Sequence, residues 1–222
     1  MTNIVQLKGY NSNRLHSPAI WSDCPIEAIK GGRTDGHYFF DDFDSLSAQT
    51  LGTESGPYYF FGDTGGTCTK TADSDHGIAV LTFDGTDEDG IGLCYGNAAG
   101  FGRFTSIDKL WMEARYAPGQ VGDAMYSAFL GMAEINVVPT GDAIMVDATG
   151  VLDASEDFVG WRTILGNGDY FEPIYQEGSA TLKAVGADGT ANATGSGYGG
   201  VVAASTFQKW GMKWNGSKQL LE

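Results

Sequence analysis

Hydrophobic positions along this chain alternate more often than they recur at helical spacing. In Lys109-Leu110-Trp111-Met112-Glu113-Ala114-Arg115-Tyr116, the residues Leu110, Met112, Ala114 and Tyr116 share one face, with Trp111, Glu113 and Arg115 on the other. That is the period-two pattern of a half-buried strand. Trp210, Met212 and Trp214 alternate with Gly211 and Lys213, predicting another strand with one heavy apolar face. Short aromatic or branched runs bounded by Gly, Asp, Ser and Thr predict further strands at 38–43, 58–61, 78–83, 128–135, 144–146, 158–165, 171–175 and 181–185. Helical signals are few: one turn over 106–109 and two over 203–209. Residues 186–200 are Gly-rich with little apolar payload and read as a long loop, and no repeat recurs at a fixed period.

The first 36 residues break this pattern. They have no sustained period, and only residues 25–30 suit a helical turn, with Pro25 at its start. The simplest description is an extended arm with isolated apolar anchors at Ile20, Trp21, Ile26 and Ile29. Such anchors suit insertion into an ordered partner that supplies the missing core. The alternative is that the arm packs back on its own domain. Charge marks the same boundary. Lys8, Arg14, Lys30 and Arg33 stand against Asp23, Glu27 and Asp35 in residues 1–36, leaving nine basic against twenty-five acidic residues in 37–222.

Composition narrows the function classes. Glycine supplies 33 of 222 residues, about twice the ordinary share, and aromatics supply 12 %. Together they favour many strands and tight turns over a helical bundle. The formal net charge of −15 disfavours nonspecific nucleic-acid binding and docking to an anionic membrane, since both depend on Lys and Arg. No run approaches a spanning helix, and the opening MTNIVQLKGYNSN has no signal-peptide core. Three scattered cysteines (Cys24, Cys68 and Cys94) make no disulfide framework. The expectation is a soluble chain made in a reducing cytoplasm, all-β, with two stacked antiparallel sheets in a jelly-roll-like sandwich over 37–222 behind the arm 1–36.

Four segments carry a resemblance: Phe39-Phe40-Asp41-Asp42-Phe43, Leu110-Trp111-Met112-Glu113-Ala114-Arg115, Phe129-Leu130-Gly131-Met132 and Trp210-Gly211-Met212-Lys213-Trp214. Together they resemble the concanavalin A-like lectin/glucanase sandwich, in the version found in virion structural proteins of tailed bacteriophages. The arm, with His16-Ser17-Pro18-Ala19-Ile20-Trp21, also looks phage-like. The resemblance covers roughly residues 38–214, and its motifs record strand alternation and close packing rather than chemistry. Such domains commonly continue into a further strand with an Asp-Gly turn. This sequence ends at Glu222, which leaves that strand absent, supplied by a neighbour or lost with a truncated C-terminus.

Catalytic constellations fit poorly. A retaining glycosidase of this sandwich needs paired carboxylates facing one sugar, typically E-x-D-x-x-E on one strand. The nearest match, Glu134-Ile135-Asn136, has an amide at the middle position and no second Glu in register. Glu113 and Arg115 are better explained by cross-strand ion pairing. The three cysteines with His16, His37 and His76 make neither a nucleophile signature nor a zinc motif. Cys94 reads as a small buried hydrophobe, and Cys68 as part of a Gly/Thr loop. The acidic stretches 73–75 and 84–90 lack the spacing of a twelve-residue calcium loop and read as solvated turns. Gly65-Gly66-Thr67 and 96–102 are followed by no GK[ST] and make no phosphate loop, and Asn192 and Asn215 match the glycosylation sequon by chance.

What the resemblance implies is a noncatalytic virion protein needing no cofactor or metal, a capsid decoration (cement) protein on the outer surface of the head. Its expected partners are the major capsid protein and further copies of itself as a dimer or trimer. Tyr10, Arg14, Ile20 and Trp21 are the expected capsid-contact residues. Two alternatives stay open: a receptor- or glycan-binding module of a tail protein, with Trp111, Trp161 or Tyr198 as a stacking platform, and a glycan-degrading enzyme.

Overall fold

The structure is a computed structural model that describes residues 17–43, 45–62, 66–72, 77–82, 91–95, 109–119, 128–133, 158–163, 170–176, 183–184, 200–215 and 220–221. The described residues are mostly strand, and every pairing between the strands named below is antiparallel. The chain divides into two compact units. One comprises Met1–Asp41, Phe104–Ala117 and Thr206–Glu222, and the other comprises Asp42–Arg103 and Pro118–Ser205. Residues 17–36 of the arm therefore belong with two strand-bearing segments from further along the chain.

In the first unit the arm carries two short helices, α1 (Pro18–Trp21) and α2 (Ile26–Lys30). The expected turn over 25–30 is present as α2. The rest of the arm is less extended than expected, because α1 precedes it. Ser17 C=O accepts the N–H groups of Ile20 and Trp21 at 3.1 and 3.0 Å, and Pro18 takes the first helical position, where its missing N–H costs nothing. Pro25 C=O does the same for Ala28 and Ile29, both at 2.9 Å.

Strand β6 (Lys109–Tyr116) runs antiparallel to β12 (Gln208–Asn215) from Gln208↔Tyr116 to Asn215↔Lys109. The short β13 (Leu220–Leu221) follows on β12 at Trp214 and Asn215. The register sets Trp210 opposite Ala114, Met212 opposite Met112 and Trp214 opposite Leu110, so the two alternating patterns read from sequence share one face. Trp210, Met212 and Trp214 are buried.

Among the described residues, the second unit holds three sheets. β1 (Thr53–Ser55), β2 (Tyr58–Gly62) and β5 (Ile91–Tyr95) form one, in that order. β3 (Thr67–Ala72) pairs with β4 (Gly77–Thr82). The largest has the order β10 (Lys183–Ala184), β9 (Tyr170–Gln176), β8 (Phe158–Thr163), β7 (Ala128–Ala133), with β11 (Gly200–Val201) also on β9. Leu46, Tyr58, Phe60 and Cys68 form one core cluster, flanked by Phe43, Leu51, Ala79, Ile91, Leu93 and Tyr95. Phe158 and Ile174 form another, packed by Phe129 and Ala133.

A glycine pair explains the Phe-Leu-Gly segment. Gly131 and Gly160 face each other across β7 and β8. A Cβ on Gly160 would come within 2.7 Å of the Gly131 Cα and 2.9 Å of the Phe129 ring. The ring thus lies over the glycine pair and meets Phe158 edge-on, with centroids 6.1 Å apart.

Three local expectations are corrected. Residues 38–43, read as a strand from their aromatics, are irregular and end at Phe43 with φ 59°. Residues 203–207 make no helix: Ser205 turns the chain at φ 53° while its N–H donates to Pro118 C=O at 2.8 Å, and β12 begins at Gln208. Cys68 lies in strand β3 rather than in a loop, and it is buried. The expected elements at 106–108, 144–146 and 186–199 lie outside the described residues.

Candidate functional site

The face of the β6–β12 pair opposite Trp210 and Met212 carries Trp111, Glu113 and Arg115 from β6 and Lys209, Gly211 and Lys213 from β12. Their register is Lys213↔Trp111, Gly211↔Glu113 and Lys209↔Arg115. Strand alternation puts these polar and charged groups together, and Gly211 leaves a notch among them. The arm occupies this face. Ile20 of α1 packs its Cδ1 over Gly211, in the place where a Cβ would stand.

Polar contacts flank that apolar one on both sides. Ser17 N–H donates to Glu113 Oε2 at 2.9 Å, while Glu113 Oε1 pairs with Lys209 Nζ at 3.5 Å. Lys209 stands opposite Arg115, so this ion pair runs diagonally across the two strands. Past the end of α1, Asp23 reaches back to the sheet. Its Oδ1 accepts the Trp111 Nε1–H at 3.2 Å and its Oδ2 pairs with Lys213 Nζ at 2.8 Å. The bond from Lys213, and then that from Trp111, hold the Asp23 carboxyl below its ordinary value. Further along, Lys30 Nζ sits 5.0 Å from the Tyr38 ring centroid, and Arg115 lies at the same distance over Phe207.

Of the four expected contact residues, Ile20 and Trp21 are half-buried in α1, and Ile20 is seated on its own chain. Tyr10 and Arg14 lie outside the described residues. Among the described residues, the groups weighed for chemistry do not converge. Glu113 holds the arm. Trp111, weighed as a sugar platform, has its indole N–H bonded to Asp23. Trp161 is half-buried on β8 opposite Leu130 and Pro173. Glu134, Tyr198, His16, His76, Asn192 and the acidic stretches 73–75 and 84–90 lie outside the described residues. Burial pushes the thiols of Cys24, Cys68 and Cys94 up, and the charge of Asp23 adds to this at Cys24. Among the described residues no three His, Cys, Asp or Glu side chains are grouped to hold a metal ion, and no helix is long and apolar enough to cross a membrane.

Sequence reasoning left the docking of the arm as an alternative and did not find its partners. The available signal was Gly211, a lone glycine inside a strand otherwise loaded with Trp, Met and Lys, which marks close approach of another segment. Comparison of the chain with protein-family models, curated proteins and solved structures finds no match.

Proposed function

We propose that this chain is a noncatalytic structural protein of a tailed-bacteriophage virion, a capsid decoration protein on the outer surface of the head. It would be built as a two-sheet antiparallel jelly-roll sandwich. The observation that carries the reading is the use made of the charged residues in the resembling segments. Glu113, in the Leu110–Arg115 segment, and Lys213, in the Trp210–Trp214 segment, fasten residues 17–23 to the sheet. Side chains committed to holding another segment of the chain are suited to mechanical work and poorly placed to handle a substrate.

In this reading the docked residues 17–30 form the base of the arm, and Tyr10 and Arg14 reach the major capsid protein. Trp21, the last residue of α1, lies within this base. The acidic remainder faces outward, where the negative charge of packaged DNA does not oppose it. Area shared over many copies stabilises the shell without any single contact being strong.

Cosedimentation of the full chain with capsids lacking it tests the proposal. The chain is expected to pellet with the capsids, and Tyr10→Ala combined with Arg14→Glu is expected to lower the bound fraction severalfold. A wild-type chain that stays in the supernatant at all concentrations would overturn it.

A further inference from the structure

The arm meets two strands rather than one. In the β6–β12 pairing, Trp111 stands directly opposite Lys213, and Glu113 directly opposite Gly211. Asp23 divides its carboxylate between the members of the first pair. Its Oδ1 accepts from Trp111 Nε1 on β6 at 3.2 Å, and its Oδ2 meets Lys213 Nζ on β12 at 2.8 Å. Ser17 and Ile20 share the second pair. Ser17 N–H donates to Glu113 on β6 at 2.9 Å, while Ile20 Cδ1 fills the notch at Gly211 on β12. A Cβ built in that notch would also stand 3.6 Å from Glu113 Cγ, so Ile20 and Glu113 border the same space. Each opposed pair is thus spanned from above by the arm.

The strand pair has reason to need this. Its arm-side face carries Arg115, Lys209 and Lys213 against Glu113, and Arg115 stands directly opposite Lys209. Like charges directly opposed weaken a strand pair. Glu113 offsets one of them through Lys209, and Asp23 supplies a second carboxylate at Lys213. The stretch has little else beside it. β13 reaches β12 only at Trp214 and Asn215, and among the described residues Gln208–Lys213 pair with β6 alone. In the other direction, a helix of four residues has no stability of its own, so α1 owes its form to its packing.

From this geometry we infer that residues 17–23 are a clasp across β6 and β12. Seating of the arm and pairing of the strands support each other, and release of the arm loosens the pair. Such coupling is reciprocal. A partner that grips the arm in its docked posture tightens the β6–β12 pair, and one that draws the arm away frees Gln208–Lys213 to open. The arm is then a built-in control on β12 rather than a detachable appendage. The coupling rests on the docking geometry alone and holds whatever partner the arm meets.

Hydrogen exchange in the full chain at neutral pH, followed by mass spectrometry, tests it. Asp23→Ala is the principal variant, because the Asp23 side chain is 47 % exposed and its loss leaves every buried position intact. Ile20→Ala is the second, since it removes packing without touching charge. Each is expected to speed exchange severalfold at 17–23 and, with it, at 109–115 and 208–213. Segments 158–163 and 170–176, in β8 and β9, should keep the wild-type rate and report on the fold as a whole.

Faster exchange at 17–23 with β6 and β12 unchanged would overturn the clasp. So would a rise of equal size at all five segments. Wild-type rates throughout in both variants would overturn the docking contacts themselves.

Discussion

Ile20 lies across Gly211 of β12, in the space that any side chain at position 211 would fill. This contact joins a segment near the start of the chain to a strand near its end, and it makes the docking sensitive to a single methyl group. Gly211→Val keeps strand preference but removes the notch, so the docking of residues 17–38, the strap, is affected first, since Ile20 stands nearest the new side chain. Overpacking of this kind costs about 1–3 kcal/mol. Trypsin is expected to cut Gly211→Val severalfold faster than wild type at Lys30 and Arg33. The double variant Ile20→Ala with Gly211→Val should recover part of the protection, because the two positions share one space.

Asp23 makes the docking acid-sensitive. Its carboxyl is held below the ordinary value by Lys213 and Trp111, so the charged form is favoured when the strap is docked. The resulting stabilisation is complete above the free Asp value of about 3.9 and fades as the pH falls through the lower docked value. Peptic cleavage of residues 24–38, taken relative to an unstructured peptide substrate, should therefore accelerate below about pH 4. Asp23→Asn should show faster cleavage at neutral pH and lose this acid dependence. Salt should weaken wild-type docking, since Asp23 is exposed.

The sheet core should respond differently from the strap. Phe158 is fully buried and meets Phe129 edge-on, so Phe158→Ala is expected to cost about 3–5 kcal/mol in denaturant unfolding. Gly160→Ala places a methyl against Gly131 and the Phe129 ring, with an expected loss of about 1–3 kcal/mol. Neither change should alter strap docking measured by cleavage at Lys30 in the folded protein.

The cysteines offer a further check. Cys68 is buried in β3, and burial raises its thiol above the ordinary value. It should react with a thiol reagent only as fast as its surroundings open, whereas the half-buried Cys24 should react first. Cys68→Ser should lower stability by about 1–3 kcal/mol, as a buried hydroxyl without a partner does.

Much of the strand pattern was legible because alternation records burial directly. Leu110, Met112 and Ala114 on β6, and Trp210, Met212 and Trp214 on β12, share a face as their spacing predicts. β3 was not legible: in Thr67-Cys68-Thr69-Lys70-Thr71 only Cys68 is buried, and one sulfur among threonines gives no apolar period. The aromatics of residues 38–43 suggested a strand, but Phe43 turns into the left-handed region, and that depends on neighbours brought in by tertiary packing. The strap was half legible. Its apolar anchors and helical turn stood out, while the pairing of Ile20 with Gly211 and of Asp23 with Trp111 and Lys213 spans most of the chain and has no local signature.

The most direct test of the virion proposal is quantitative mass spectrometry of purified particles of the phage that the proposal implies, counting this chain against the major capsid protein. A copy number on the scale of the shell protein is the predicted result. A copy number typical of a tail component, or absence from the particle, would contradict it.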